Sequence, residues 1–448
     1  MNKSTATWLT ILLIPFFFSF CQADDQTEQL EKRVVAGPSL SELLEFAQRT
    51  NPTIQAARAA WMAGLERSQT ATGLPDPQLM ATYFTTPIET RLGPQDWNLT
   101  LSQTIPFPTK LANLGTMLAT DATLARLQLD KAHGEIGTAI RHSFHELVYI
   151  GRAKAVAVQI RELLDHLRLV AETAMAQDQA TLVDVMKAQS QVAQLRYDAL
   201  LLEELEQTEK AQLNGLLNRL PAAPLGPLRP AVAPPLTVGL DEIFQLATAN
   251  RDEVRMAANR VQRARANRNL AAAQRLPDLK LGLFYAGIGE PDTPTPPLDA
   301  GRDAVGIQAG ISIPLWFGKN NHLVREAEAE IRRAQALQAA QVNDTRTAVQ
   351  RVYFRLQNAQ RLTVLYQEEL LPQAARAMEL AETWFREGRG SFSDFVETAT
   401  VWYNFQLSMA RAQADYGKEL ARLEQLAGAT LTGKPSEIIP ATNRGEEP

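Results

Sequence analysis

The sequence predicts a mainly α-helical chain with a small membrane β part, built as two copies of a helix-strand-strand-helix-helix unit. Three observations carry this reading. Short motifs recur in the same order about 200 residues apart. A very long helical pattern follows each pair of strands. The strands themselves alternate apolar with small or polar residues, as a sheet does when one face meets lipid and the other water.

The N-terminus places Lys3 before an apolar run from Trp8 to Phe20. A run of about 13 residues is too short to span a bilayer and suits a secretory leader. Cys21-Gln22-Ala23 has small residues at its first and third places, so cleavage is expected after Ala23. Acylation of Cys21 is the alternative, although Phe20 is bulky for that processing. No other segment has the ~20 consecutive apolar residues of a membrane helix. Cys21 is the one cysteine, which excludes disulfides, thiol nucleophiles and thiolate metal sites from a mature chain. The net charge of −5 gives no sign of a nucleic-acid surface.

The repeat is read motif by motif. Leu40-Ser41-Glu42-Leu43 aligns with Leu240-Asp241-Glu242-Ile243, and LPDPQL at Leu74 with LPDLKL at Leu276. Ile105-Pro106 aligns with Ile313-Pro314, SFHEL at Ser143 with VYFRL at Val352, and LVDVMKAQ at Leu182 with FSDFVETA at Phe392. The expected organisation is a leader over 1–23, a first repeat over 24–220, a Pro-rich extended linker over 221–236, a second repeat over 237–427 and a tail over 428–448.

In the first repeat a helix is expected from Ser39, an N-cap with Glu42 three residues on, to about Thr72. Strands follow at about 76–85 and 97–105, then helices at about 109–176 and 182–219. The second repeat should place a helix at 240–275, strands at 278–287 and 304–313, and helices at 318–386 and 392–426. The helix over 109–176 would be roughly 100 Å long. Heptad seams read Val185, Ala188, Val192, Leu195, Ala199, Leu202; Phe395, Thr398, Trp402, Phe405, Met409, Ala412; and Val342, Thr345, Val349, Val352, Leu356, Ala359. Such spacing packs helices side by side, either as a solid bundle or as a hollow wall.

Val305, Ile307, Ala309, Ile311 and Ile313 share one strand face, as do Trp97, Leu99 and Leu101, and Leu279, Leu281, Leu283 and Tyr285. Four strands cannot close a barrel, and an open edge in lipid leaves backbone groups unpaired at several kcal/mol each. Copies of the chain would complete it, giving eight, twelve or sixteen strands. A soluble sheet on a periplasmic coiled-coil scaffold or adaptor is the alternative.

The chain resembles the TolC-type outer membrane efflux proteins. The resemblance is carried by LLEFAQRTNPTIQAAR, the two LPD motifs, LSQTIPFPTK, GISIPLWFGK and EGRGSFSDFVETATVWYNFQLSMARAQADY, in order over nearly the whole mature chain. It implies a homotrimer with one 12-stranded outer membrane β-barrel, continued by a periplasmic α-helical barrel. It implies a passive exit duct served by a periplasmic adaptor and an inner-membrane pump of RND or ABC type. No enzyme activity and no cofactor are implied. Loops Thr86–Gln95 and Ala286–Asp303 would be extracellular.

The resemblance also implies site residues. Asp394 and Glu397 would be periplasmic gate acids, forming rings of like charge in the trimer. Their first-repeat counterparts are Asp184 and Lys187, so one acid is missing there. Asp178, Gln179 and Asp184, with Gly388, Arg389, Gly390 and Ser391, would form the hairpin tips that dock the adaptor. The tips depart from the family at Gln177, where a glycine is usual, at Gly390, where an arginine is usual, and at Phe385, where a tyrosine is usual. Charge repulsion and adaptor contacts are therefore expected to matter more than a hydrogen-bonded latch. Pro106, Phe107, Pro314, Trp316 and Gly318 mark the two places where membrane strand becomes helix. His142, His145 and Glu146 share a helix face and could be read as a metal patch, but surface histidines are far commoner and no metal site is expected. No triad, phosphate loop or dinucleotide loop is present.

Overall fold

The computed structural model describes residues 26–175, 181–230 and 233–433. The leader, the first tip around Asp178 and Gln179, and the tail beyond residue 433 lie outside the described residues. None of the described helices is long and apolar enough to cross a membrane. The chain divides into two compact units, Ala57–Leu129 with Glu253–Gln341, and Met1–Ala56 with Asp130–Asp252 and Val342–Pro448.

The first of these holds a four-stranded antiparallel sheet, β1 (Gln78–Thr90), β2 (Gly93–Ile105), β3 (Leu279–Ile288) and β4 (Ala304–Ile311), in that spatial order. The register sets Leu79 against Leu101, Leu101 against Leu283 and Leu283 against Ile307. Directly opposed residues share a face, so the apolar positions of all four strands merge into one surface. That surface is bare: Val305 is 75% exposed and Ile307 84%. The opposite face carries Thr82, Asn98, Thr100, Gly282, Gly306 and Gln308, with Met80 and Phe284 as its large apolar residues.

The apolar face has aromatic side chains towards both ends. Tyr83 is paired with Trp97, whose ring lies 5.3 Å from that of Tyr285. Phe107 and Trp316 follow the other ends of β2 and β4, and both are exposed. Aromatic girdles of this kind bound the lipid band of membrane barrels.

The first expected loop is mostly strand. β1 and β2 run on past an irregularity between Tyr83 and Ile88 and are joined at Arg91-Leu92. Gly93 makes this possible: its φ is 133°, and a Cβ there would lie 1.8 Å from the Gly289 carbonyl oxygen. The β3–β4 connection is a true loop, tied to this turn by Gly289 N–H to Pro94 O (2.7 Å) and Gly301 N–H to Leu92 O (2.7 Å).

In the other unit a first helix, α1, covers 26–36 and precedes α2 (Leu40–Thr50). Ser39 caps α2 through a capping box with Glu42. The single helix expected to Thr72 breaks at Asn51, and α3 (Pro52–Thr70) starts afresh. Pro52 holds the residue before it extended and suits the first helical position. Asn51 then caps α3 by accepting from Thr53 N–H at 2.9 Å. The second repeat breaks likewise between α6 (Leu240–Asn250) and α7 (Asp252–Ala273), although no proline marks it.

Two long helices, α4 (Pro108–Met175) and α5 (Leu182–Leu216), complete the first repeat. α5 stops short of Arg219 because Asn218 turns left-handed at φ 57°. In the second repeat, α8 (Phe317–Leu365) leads through a π-helical turn at Tyr366–Leu370 into α9 (Leu371–Arg386), and α10 (Phe392–Ala427) follows. Pro372 lacks a donor and crowds the preceding turn, which accounts for the π turn.

Equivalent cores form in the two repeats. One packs Leu43, Phe46, Ile140, Phe144, Ile150 and Leu213, the other Ile243, Val349, Val352, Leu356, Leu420 and Leu423. Of the α8 seam, Thr345, Val349, Val352, Leu356 and Ala359 are buried and Val342 is half-buried. On α10 the expected seam is displaced. Phe395 and Ala412 are buried, but the rest of the buried face runs through Ala399, Tyr403, Ala410 and Ala414, while Thr398, Trp402, Phe405 and Met409 are half-buried. α10 packs against α4, α5 and α9 in one cluster, so it buries more than a two-helix seam.

Candidate functional site

The second tip is built by the turn Glu387–Ser391 between α9 and α10. α9 ends with Glu387 N–H bonded to Thr383 O at 3.0 Å, and with Arg389 and Gly390 N–H both bonded to Trp384 O at 2.8 and 3.0 Å. Gly388 supplies the left-handed residue at φ 70°. Gly390 is needed for space, since a Cβ there would lie 3.1 Å from the Trp384 Cβ. Gly388→Ala should therefore destabilise the tip by about 1–2 kcal/mol, read as faster amide exchange over 384–391. Ser391 caps α10 by accepting from Asp394 N–H at 3.1 Å, and Arg389 reaches Glu387 at 3.3 Å. Phe385 packs edge-on against Phe392 with ring centroids 5.3 Å apart, where a tyrosine hydroxyl would have no role in that contact.

Asp394 and Glu397 are both exposed and, three residues apart, share one face of α10. Lys187 of α5 donates to Ser393 Oγ at 3.0 Å. A groove between α5 and α10 is lined by Met186, Lys187, Ser393, Val396, Glu397 and Thr400. The residue that replaces the missing first-repeat acid thus stands beside the second-repeat acids. Asp184 lies in the first turn of α5.

At the rim of the sheet, Pro106 and Phe107 join β2 directly to α4. After β4, the turn is made by Leu315 N–H to Ile313 O (2.9 Å) and Phe317 N–H to Leu315 O (3.0 Å), around Pro314 and Trp316. Gly318 lies inside the first turn of α8 and does not form the bend. Asp278, just before β3, was not singled out in the sequence, yet it ties both turns. Its Oδ1 accepts from Phe107 N–H (3.1 Å) and from Lys110 Nζ (2.8 Å). Its N–H donates to Ser312 Oγ (2.7 Å), and its carbonyl accepts from Ser312 N–H (2.9 Å). The signal was present as the conserved spacing of the two LPD motifs within the chain.

A charge cluster on α4 and α10 was also missed. Glu146 is buried and accepts from both Arg411 and Lys418, while Arg411 lies 4.8 Å from the Tyr149 ring centroid. Both carboxylate oxygens of Glu146 are thus engaged, one by Arg411 and one by Lys418. Among the described residues no group of three or more His, Cys, Asp or Glu is arranged to hold a metal ion. Burial and the neighbouring Lys418 push His145 down to about 4, so its ring is neutral at pH 7. The ring fills the space over Gly417, where a Cβ would lie 2.4 Å from it.

One unit carries a four-stranded sheet with an exposed apolar face, and the other is built of packed helices. Residues 243–429 match the family model described as outer membrane efflux protein. The fold is similar to the outer membrane protein VceC of Vibrio cholerae, with a TM-score of 0.71, 20% identity, and coverage of 88% of this chain and 96% of that one. The Campylobacter jejuni CmeC outer membrane channel gives a TM-score of 0.69 at 13% identity, covering 88% and 86%. The open state of the Neisseria gonorrhoeae MtrE outer membrane channel gives 0.70 at 14%, covering 89% and 90%. A sequence comparison with curated proteins finds no match. The second half of the chain is thus similar to the outer membrane efflux protein family, and the fold of these channels is shared over most of its length.

Proposed function

We propose that the chain is a passive exit duct in the outer membrane. Three copies contribute twelve strands to one barrel, and their long helices continue it as a periplasmic tunnel. A periplasmic adaptor docks at the helical tips and an inner-membrane RND or ABC pump supplies the cargo and the energy. The leader over 1–23 exports the chain. The observation that carries this reading is the sheet: one continuous apolar exposed face, an opposite face that is mostly small or polar, and two open edges. A closed, lipid-embedded arrangement accounts for all three. The test is fractionation followed by reconstitution. The protein should sediment with the outer membrane, need detergent for release, and conduct ions in planar bilayers. A protein found soluble in the periplasm defeats the reading.

Asp394 and Glu397 form the narrow end of this duct as rings of acid. Like-charged rings attract cations and resist closing unless protonated or cation-bound. In planar bilayers, Asp394→Ala and Glu397→Ala should lower cation preference and cation-dependent block. Lys187→Glu should raise both, because it adds an acid beside Glu397 and removes a cation. Unchanged currents in all three variants would overturn the gate assignment.

A further inference from the structure

The rim contact made by Asp278 has a counterpart that cannot form within one chain. In the sheet, β2 meets β3, and Lys110 after β2 holds Asp278 before β3. The repeat makes β4 the counterpart of β2 and β1 the counterpart of β3. With one extra residue after Ile313-Pro314, Lys319 takes the place of Lys110 as the third residue of its helix, and Asp76 that of Asp278. However, β1 and β4 are the two outer strands, each paired on one side only. Asp76 and Lys319 are both exposed, and neither has an ion-pair partner among the described residues.

We propose that β4 of one copy pairs with β1 of a second copy in the register that β2 adopts with β3, and that Lys319 holds Asp76 of that copy. The proposal rests on the barrel reading above and adds the register and the clip. Transferring the β2–β3 register carries Gln103–Leu281, Leu101–Leu283 and Leu99–Tyr285 onto Ile311–Leu79, Ala309–Ala81 and Ile307–Tyr83. All six of these outer-strand residues lie on the apolar face. The transferred register therefore keeps the apolar face continuous across the two outer strands. A slip of one residue would turn one strand's lipid side onto the other's polar side. The clip opposes such a slip at the rim, where Asp278 already does so between β2 and β3.

Cysteine pairing tests the register in the full-length chain carrying Cys21→Ser, which has no native thiol. Directly opposed residues in an antiparallel pair have Cα atoms ~4.5–5.5 Å apart, within disulfide reach. Ala81→Cys with Ala309→Cys should give disulfide-linked oligomers on non-reducing gels of outer membranes. Tyr83→Cys with Ala309→Cys, and Leu79→Cys with Ala309→Cys, should give none. For the clip, Asp76→Lys and Lys319→Asp should each lower the temperature at which the detergent-extracted oligomer dissociates, and the double exchange should restore most of the loss. Linking in a shifted pair, or a double exchange no better than the singles, overturns the proposal. An oligomeric outer membrane protein without the 81–309 link overturns this proposal alone, whereas a soluble monomer overturns the duct reading as well.

Discussion

Ile307→Lys should be lost from the outer membrane fraction, whereas Gln308→Lys, one residue along the same strand, should be retained. Ile307 stands on the apolar face opposite Leu283, and Gln308 on the other face opposite Gly282. A lysine on the lipid side of a barrel strand costs about 2–4 kcal/mol near the bilayer midplane, and much less in the lumen. The cost recurs in every copy, so a trimer meets it three times. Membrane pelleting and protease sensitivity of whole cells would read the outcome. Equal loss of both variants would mean that the two faces of β4 are not lipid and water.

Removing the carboxylate in Glu146→Ala should destabilise the helical unit by up to about 3 kcal/mol, because Lys418 is left buried with only the more distant Asp415 carboxylate at 3.4 Å. Glu146→Ala with Lys418→Met should recover much of that loss. The same cluster sets an acid limit on stability. Burial, then Lys418, Arg141 and His142, disfavour a charged His145, and its pKa falls to about 4. Burial also lowers His142, with Lys418 and Arg411 assisting and Glu146 and Glu209 opposing. Burial tends to raise Glu146, but its hydrogen bonds to Lys418 and Arg411 outweigh this and lower it. A depressed histidine contributes stability that is complete above its unfolded value near 6.5 and is lost as pH falls towards 4. For His145 the loss is about 3 kcal/mol. Thermal melts from pH 7.5 to 4.5 should fall steeply below pH 6.5, and His145→Gln should flatten that slope. A slope unchanged by the substitution would assign the acid limit to other groups.

The sheet was legible because its signal is local. Period-two alternation names the face of every residue from Val305 to Ile311 without reference to anything else. Ile-Pro at 105–106 and 313–314 located the departures from the sheet for the same reason, although β4 stops at Ile311 and Gly318 proved to be helical. Features that depend on distant partners were not legible. Asp278 acts through Lys110, 168 positions away, and Glu146 acts through Lys418, 272 away. The break before α7 has no proline to announce it, and the tight β1–β2 turn depends on Gly93 meeting Gly289. Of the tip residues, Gly388 and Ser391 were placed at the turn, but the cap that Ser391 makes on α10 was not read. Nor was the pairing of Lys187 with Ser393, since nothing in either helix alone brings them together.

The π turn at Tyr366–Leu370 changes how the second repeat can be numbered. Continuing the buried rhythm of α8 beyond Ala359 by alternate threes and fours would reach 373, 377, 380 and 384. The residues packed at the tip are Ala374, Met378, Ala381 and Phe385, each one place later. The wider turn absorbs one extra residue and so resets the phase of the apolar stripe without bending the chain away from α10. It behaves as a corrected frameshift. A deletion of one residue there would restore unbroken α-helix, yet would rotate everything beyond it by about 100° and turn the tip's aromatic pair outward.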